Sequence, residues 1–167
     1  MKTFLYGNII RNIAGARRLC APALGWNRTH LSAFKELLLS ERTDDHRLCR
    51  LEELDLSDNP YLLCDPGGRC FTDKNEIRKD WHSFLIVIFD KVPTLKTLNL
   101  CDTVSSEVEA VALLEGLLSW LRERQNNTER YIDIISINIR KLGNWCKEIE
   151  SDLRRSVHEE NLSVDII

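Results

Sequence analysis

Three stretches of the chain share one spacing of apolar residues, and a recurring unit constrains a fold more tightly than any single window does. They are Leu51-Glu-Glu-Leu54-Asp-Leu56-Ser-Asp-Asn59, Leu95-Lys-Thr-Leu98-Asn-Leu100-Cys-Asp-Thr103 and Ile132-Asp-Ile-Ile135-Ser-Ile137-Asn-Ile-Arg140. Each has apolar residues at relative positions 1, 4 and 6. Positions 4 and 6 fall on one side of a short strand, whose side chains alternate in direction. At position 9 of the first copy, the Asn59 amide can hydrogen-bond backbone groups as the chain turns away.

The pattern resembles the leucine-rich-repeat consensus LxxLxLxxN. The first copy matches every position, whereas Thr103 and Arg140 stand where the other copies should have Asn. From Leu51 to Leu95 is 44 residues and from Leu95 to Ile132 is 37, longer than the roughly 20 to 29 usual for such repeats. The first excess falls at Tyr61-Leu-Leu-Cys-Asp-Pro-Gly-Gly-Arg-Cys70, where Asp-Pro-Gly-Gly is turn chemistry, so a surface loop is expected at 61–72. A longer helix and Gln125-Asn-Asn-Thr128 absorb the second.

A helix follows each strand. Thr72 or Asp73 caps the first, which carries Ile77, Trp81, Phe84, Leu85, Ile88 and Phe89 on its apolar side and stops before Pro93. Ser106 with Glu109 three residues later forms a capping box for the second, with Val108, Val111, Leu114, Leu117, Leu118 and Leu121 at helical spacing. In the third, Leu142, Trp145, Ile149, Leu153 and Val157 recur every three to four residues, and Lys147, Glu148, Asp152 and Arg155 take the other face.

The expected fold class is therefore α/β: a short solenoid with parallel inner strands and outer helices. The resemblance, with its long helices, implies the ribonuclease-inhibitor-like subclass and an intracellular, cytoplasmic protein. Residues 51–167 form the repeat units and 1–50 a degenerate or N-terminal capping repeat. Within the latter, Leu5-Tyr-Gly-Asn8 with Ile10 resembles the end of a repeat strand, and Ala14-Gly-Ala-Arg-Arg-Leu19 its helix. Leu24-Gly-Trp-Asn27 reads as a degenerate second turn; Leu31, Phe34, Leu37 and Leu38 form a helix leading through Thr43-Asp-Asp-His46 to the first clear strand. Pro22 disfavours a strand there except at an edge.

A single strand-helix unit cannot bury its apolar face alone, so neighbouring units stack and the inner face of the sheet stays open. The residues between the apolar positions point into it: Glu52, Glu53, Asp55, Ser57 and Asp58; then Lys96, Thr97, Asn99 and Asp102; then Asp133, Ser136, Asn138 and Arg140. The first row is strongly acidic, which would steer a partner with a basic surface. An acidic face that is merely solvated is the plainer alternative.

Lys2, Arg11, Arg17, Arg18, Arg28 and Lys35 all precede the first acid, Glu36, so the first 35 residues carry +6 in a chain of net charge −3. An acid-free, arginine-bearing start over 1–25 resembles a mitochondrial targeting segment, and the competing reading makes Leu19, Leu24, Leu31 and Phe34 a cap on the core. No apolar run reaches the 18 residues of a membrane span. The chain ends at Leu162-Ser-Val-Asp-Ile-Ile167 with apolar residues where a solenoid needs a polar cap, which fits either a fragment or an end covered by a partner. The six cysteines are scattered without a CxxC pair and are expected as reduced thiols, although Cys64 and Cys70 flank a turn across which they could pair.

Catalytic motifs are missing. There is no Gly-rich phosphate loop, HExxH, GxSxG or zinc-type cysteine spacing, and the four histidines are far apart. Asp44-Asp45-His46 has no nucleophile motif beside it, and Trp81 and Trp145 occupy core helix positions. A pI near 5.8 argues against nucleic acid. The expectation is a non-catalytic scaffold or adaptor without metal or cofactor that binds another protein on the open face. An accessory subunit of a larger enzyme complex, mitochondrial if the targeting reading holds, and a GTPase regulator are the alternatives.

Overall fold

The computed structural model describes residues 16–39, 50–66, 73–126, 135–140, 147–159 and 164–166. Strands and helices alternate: β1 Arg18–Cys20, α1 Arg28–Leu39, β2 Glu53–Asp55, α2 Lys74–Lys91, β3 Thr97–Asn99, α3 Glu107–Asn126, β4 Ile135–Asn138, α4 Lys147–Glu159 and β5 Val164–Ile166. The strands form one all-parallel sheet in the order β1-β2-β3-β4-β5. Chain order equals spatial order, and α1 packs on α2, α2 on α3 and α3 on α4. The chain is an α/β protein.

The strands are three or four residues long, and β1 to β4 each bury the residue that faces the helices. Leu19, Leu54, Leu98 and Ile137 stand in one register across β1 to β4. All four are buried, as are Ala21, Leu56, Leu100 and Ile139 two residues further on. Leu51 and Leu95, at the first apolar position of their units, are buried as well.

The register corrects the third copy. The expected alignment sets Ile135 beside Leu98, but Ile137 takes that place, two residues later. Apolar and polar residues alternate through Ile135-Ser-Ile-Asn-Ile139, so a slip of two leaves every side chain on the same face. Periodicity alone could not separate the two frames.

The start of the chain is corrected too. Residues 18–20 form a strand where the end of a helix over 14–19 is expected; residues 5–15 of that reading lie outside the described ones. Ala16-Arg-Arg-Leu19-Cys-Ala21 does carry apolar residues at positions 1, 4 and 6, with small alanines in place of leucines. Pro22 follows the strand directly, and β1 is the first strand of the sheet, the setting in which a nearby proline is tolerated.

Asp73 caps α2 by accepting from the Asn75 N–H, and the buried set on this helix is the expected one, from Ile77 to Phe89. At α3 the Ser106 hydroxyl accepts the Glu109 N–H at 3.3 Å, as the capping box requires. The Glu109 carboxylate reaches back to Ser105, whose N–H and hydroxyl donate to it at 2.7 and 3.0 Å, rather than to Ser106. The apolar stripe of α3 is rotated from the expected one. Ala110, Leu113, Leu114, Leu117, Trp120 and Leu121 are buried, while Val108 is exposed. On α1, Leu31, Phe34 and Leu38 are buried; on α4, Leu153 is buried and Val157 half-buried. Leu142 and Trp145 lie outside the described residues. Phe34 against Phe84 joins α1 to α2, and Phe89 stacked on Trp120 at 4.1 Å joins α2 to α3.

The expected surface loop at 61–72 starts differently. Leu62, Leu63 and Cys64 are buried, because the chain folds back through turns onto the core instead of leaving it. Residues 67–72 lie outside the described set.

Candidate interaction surface

The face of the sheet opposite the helices carries polar residues in two rows. Arg18, Glu53, Thr97 and Ser136 share one register position, with Asp165 next to Ser136 in β5. Cys20, Asp55, Asn99 and Asn138 share the other. Arg18 and Cys20 are exposed, and the remaining side chains described in these rows are half-buried.

The second row ends the strands. The Asp55 carboxylate accepts the Ser57 N–H at 2.9 Å, the Asn99 amide oxygen the Cys101 N–H at 3.2 Å, and the Asn138 amide oxygen the Arg140 N–H at 3.0 Å. These are one Asx turn made three times. In the first unit the acceptor position is Cys20 and the donor position is Pro22. Where the side-chain acceptor is missing, so is the N–H that would need it.

One residue beyond Pro22, Ser57 and Cys101 the backbone turns left-handed, at Ala23 (φ 54), Asp58 (φ 55) and Asp102 (φ 57). Aspartate tolerates that region better than most residues and alanine does so at a cost. The adjacent turns are tied in sequence, the Ala23 N–H donating to the Ser57 carbonyl and the Asp58 N–H to the Cys101 carbonyl.

Asn59 lies next in the chain and has no exposed surface. Its amide nitrogen donates to the carbonyls of Leu56 and Ser57 in its own turn and of Ala21 in the unit before. Its oxygen accepts the Trp26 N–H at 2.9 Å. At the matching position the Thr103 hydroxyl donates to the Leu100 carbonyl, which satisfies its own turn.

The candidate residues divide accordingly. Glu52, Glu53, Asp55, Lys96, Thr97, Asn99, Ser136 and Asn138 line or flank the open face. Asp58, exposed, and Asp102, half-buried, stand at the left-handed corners past the carboxyl ends of the strands, and Arg140 is exposed in the corresponding turn. Ser57 is 6% exposed and lies beneath the surface, because β2 ends at Asp55 and the in-out alternation stops with it. Asp133 lies outside the described residues.

Sequence reasoning set Lys96 on one side of the acidic row but neither Arg17 nor Arg18 on the other, where the structure brings both. The Arg18 guanidinium makes a two-pronged contact with the Glu53 carboxylate, Nη2 to Oε1 at 2.9 Å and Nε to Oε2 at 2.6 Å. Arg17 Nε stands 3.9 Å from Glu52 Oε1. Hydrogen bonding and charge at Glu53 raise the pKa of Arg18 further above its already high ordinary value, so it stays charged. The row is a mixed-charge strip, and the signal for it was the Ala-for-Leu repeat at residues 16–21.

Cys20 and Cys101 are free thiols, whereas Cys64 is disulfide-bonded. The expectation of reduced cysteines fails at Cys64. Composition bears on the compartment, while local geometry decides whether two sulfurs meet. Cys64 Sγ lies 3.2 Å from the buried Glu109 Oε1. Among the described residues, no group of three or more His, Cys, Asp or Glu is placed to hold a metal ion, and no helix is long and apolar enough to cross a membrane. Comparison with protein-family models, with curated proteins and with solved structures finds no match to this chain.

Proposed function

We propose that this chain is a short leucine-rich-repeat solenoid that binds another protein on the open face of its sheet, as a scaffold or adaptor and without catalysis. The observation that carries this reading is the register of β2, β3 and β4. It aligns Glu53 with Thr97 and Ser136, and Asp55 with Asn99 and Asn138, on the side of the sheet away from the helices. Turns repeated at equal register, an Asn59 bridging two units and sequential strand order all support the repeat.

The side chains available on this face favour a partner that supplies hydrogen-bonding groups of both signs. Arg17 and Arg18 already answer Glu52 and Glu53, so the pull on a purely basic surface is reduced. Thr97 and Ser136, with Lys96 beside them, form the central strip.

The test is parallel affinity capture from cells with the full chain, with a Thr97→Arg/Ser136→Arg variant, and with an Asp90→Arg/Lys91→Glu variant on exposed positions of α2. The expected result is one set of proteins held by the wild type and the helix variant and lost by the sheet variant, with unchanged circular dichroism throughout. Equal capture by all three would remove the face from the interaction.

A further inference from the structure

Between α1 and α2 lies a half-open cleft of about 70 Å³ with Leu31, Ile77, Trp81 and Phe84 in its walls and Arg28 and Lys35 in its polar lining. The two cations differ. Arg28 is ion-paired with Asp80, and Asp65 stands 4.0 Å away, so its charge is answered within the chain. The Lys35 ammonium reaches the Ser83 hydroxyl at 3.4 Å, a neutral and long contact, and forms no ion pair among the described residues, Asp80 of the same cleft being held by Arg28. Within the walls Trp81 is fully buried, with the Cδ1 edge of its indole toward Gly116 of α3, so its N–H serves as a reporter of the cleft and not as a ligand contact.

The space limits what could enter. A dry cavity of roughly 150 Å³ takes benzene, so this smaller one suits a branched group of about three or four carbons. Its apolar walls favour hydrocarbon, and the cation left over at its polar side favours one negative charge. We propose that the cleft binds a short branched aliphatic carboxylate, hydrocarbon over Leu31, Leu63 and Phe84 and carboxylate on Lys35. The same chemistry is offered by a free acid of the isovalerate type and by the C-terminal residue of a peptide ending in Val or Leu. The site is separate from the sheet face, and its failure would leave the reading of that face untouched.

The test follows the indole N–H resonances of the ¹⁵N-labelled full chain, with Trp81 assigned from a Trp81→Phe variant, during titration with isovalerate, isovaleramide and acetyl-Gly-Gly-Val. The expected result is a saturable shift of the Trp81 resonance at millimolar isovalerate or tripeptide, with Trp26, Trp120 and Trp145 unmoved. Isovaleramide should bind at least tenfold more weakly, and Lys35→Met should abolish the carboxylate preference while leaving the rest of the spectrum in place. Tighter saturation by the tripeptide identifies a chain terminus as the source, and tighter saturation by isovalerate a free acid. Equal response to acid and amide, an unchanged titration in Lys35→Met, or no saturable Trp81 shift with either carboxylate would overturn the proposal.

Discussion

Asn59 carries more of the architecture than any other polar side chain described, because it satisfies carbonyls in two successive units and a backbone N–H in the link to α1. Replacing it with Ala strands those groups in a buried place, where each unsatisfied group costs about 1–3 kcal/mol. Asn59→Ala should therefore lose about 3 kcal/mol in urea unfolding, and Asn59→Asp, which keeps the acceptor and loses the donors, should lose nearly as much. A loss below about 1 kcal/mol in the Ala variant would show that water replaces these bonds. The turn residue Asp55 should behave otherwise. Asn99 and Asn138 make the same turn with amides, so Asp55→Asn should be close to neutral, while Asp55→Ala should cost about 1 kcal/mol. Ala23 is the left-handed residue with least reason to be so. Ala23→Gly should raise the unfolding midpoint by an amount equivalent to about 1 kcal/mol, unlike glycine in a helix or strand.

The helix pair α2–α3 shows close packing overruling local propensity. A Cβ at Gly116 would lie 3.0 Å from Trp81 Cδ1, and Trp81 is itself stacked on Phe84 and fully buried. Alanine gains about 1 kcal/mol over glycine inside a helix, whereas overpacking a core costs roughly 1–3 kcal/mol. Gly116→Ala should be destabilising by about 1 kcal/mol on balance, read as a lower thermal midpoint; a raised midpoint would mean that Trp81 yields readily. Much of the element order was legible beforehand, because helices of three turns or more repeat their apolar positions several times. The buried set on α2 could be read residue by residue. What could not be read had short or degenerate signals. Three-residue strands offer one buried side chain each, alternation permits a slip of two in β4, and alanines in the first unit masked β1. On α3, Ala110 and Trp120 face the core while Val108 is exposed, a rotation set by neighbouring helices and Gly116 rather than by its own pattern.

The molecule pairs a helical layer that closes its own core with a sheet whose other face carries half-buried and exposed polar residues in register. Which residues share that face was largely visible in the sequence, since period-two alternation names them even when the register is off by two. Their charge was not. The acidic row was read without Arg17 and Arg18, which reach it only because β1 lies beside β2. A photocrosslinking residue at Thr97, at the centre of the face, compared with one at Asp90 on exposed α2, puts the binding proposal to its most direct test. The account predicts a discrete crosslinked protein from position 97 in cells and none from position 90. A crosslink from 90 and none from 97 would contradict it.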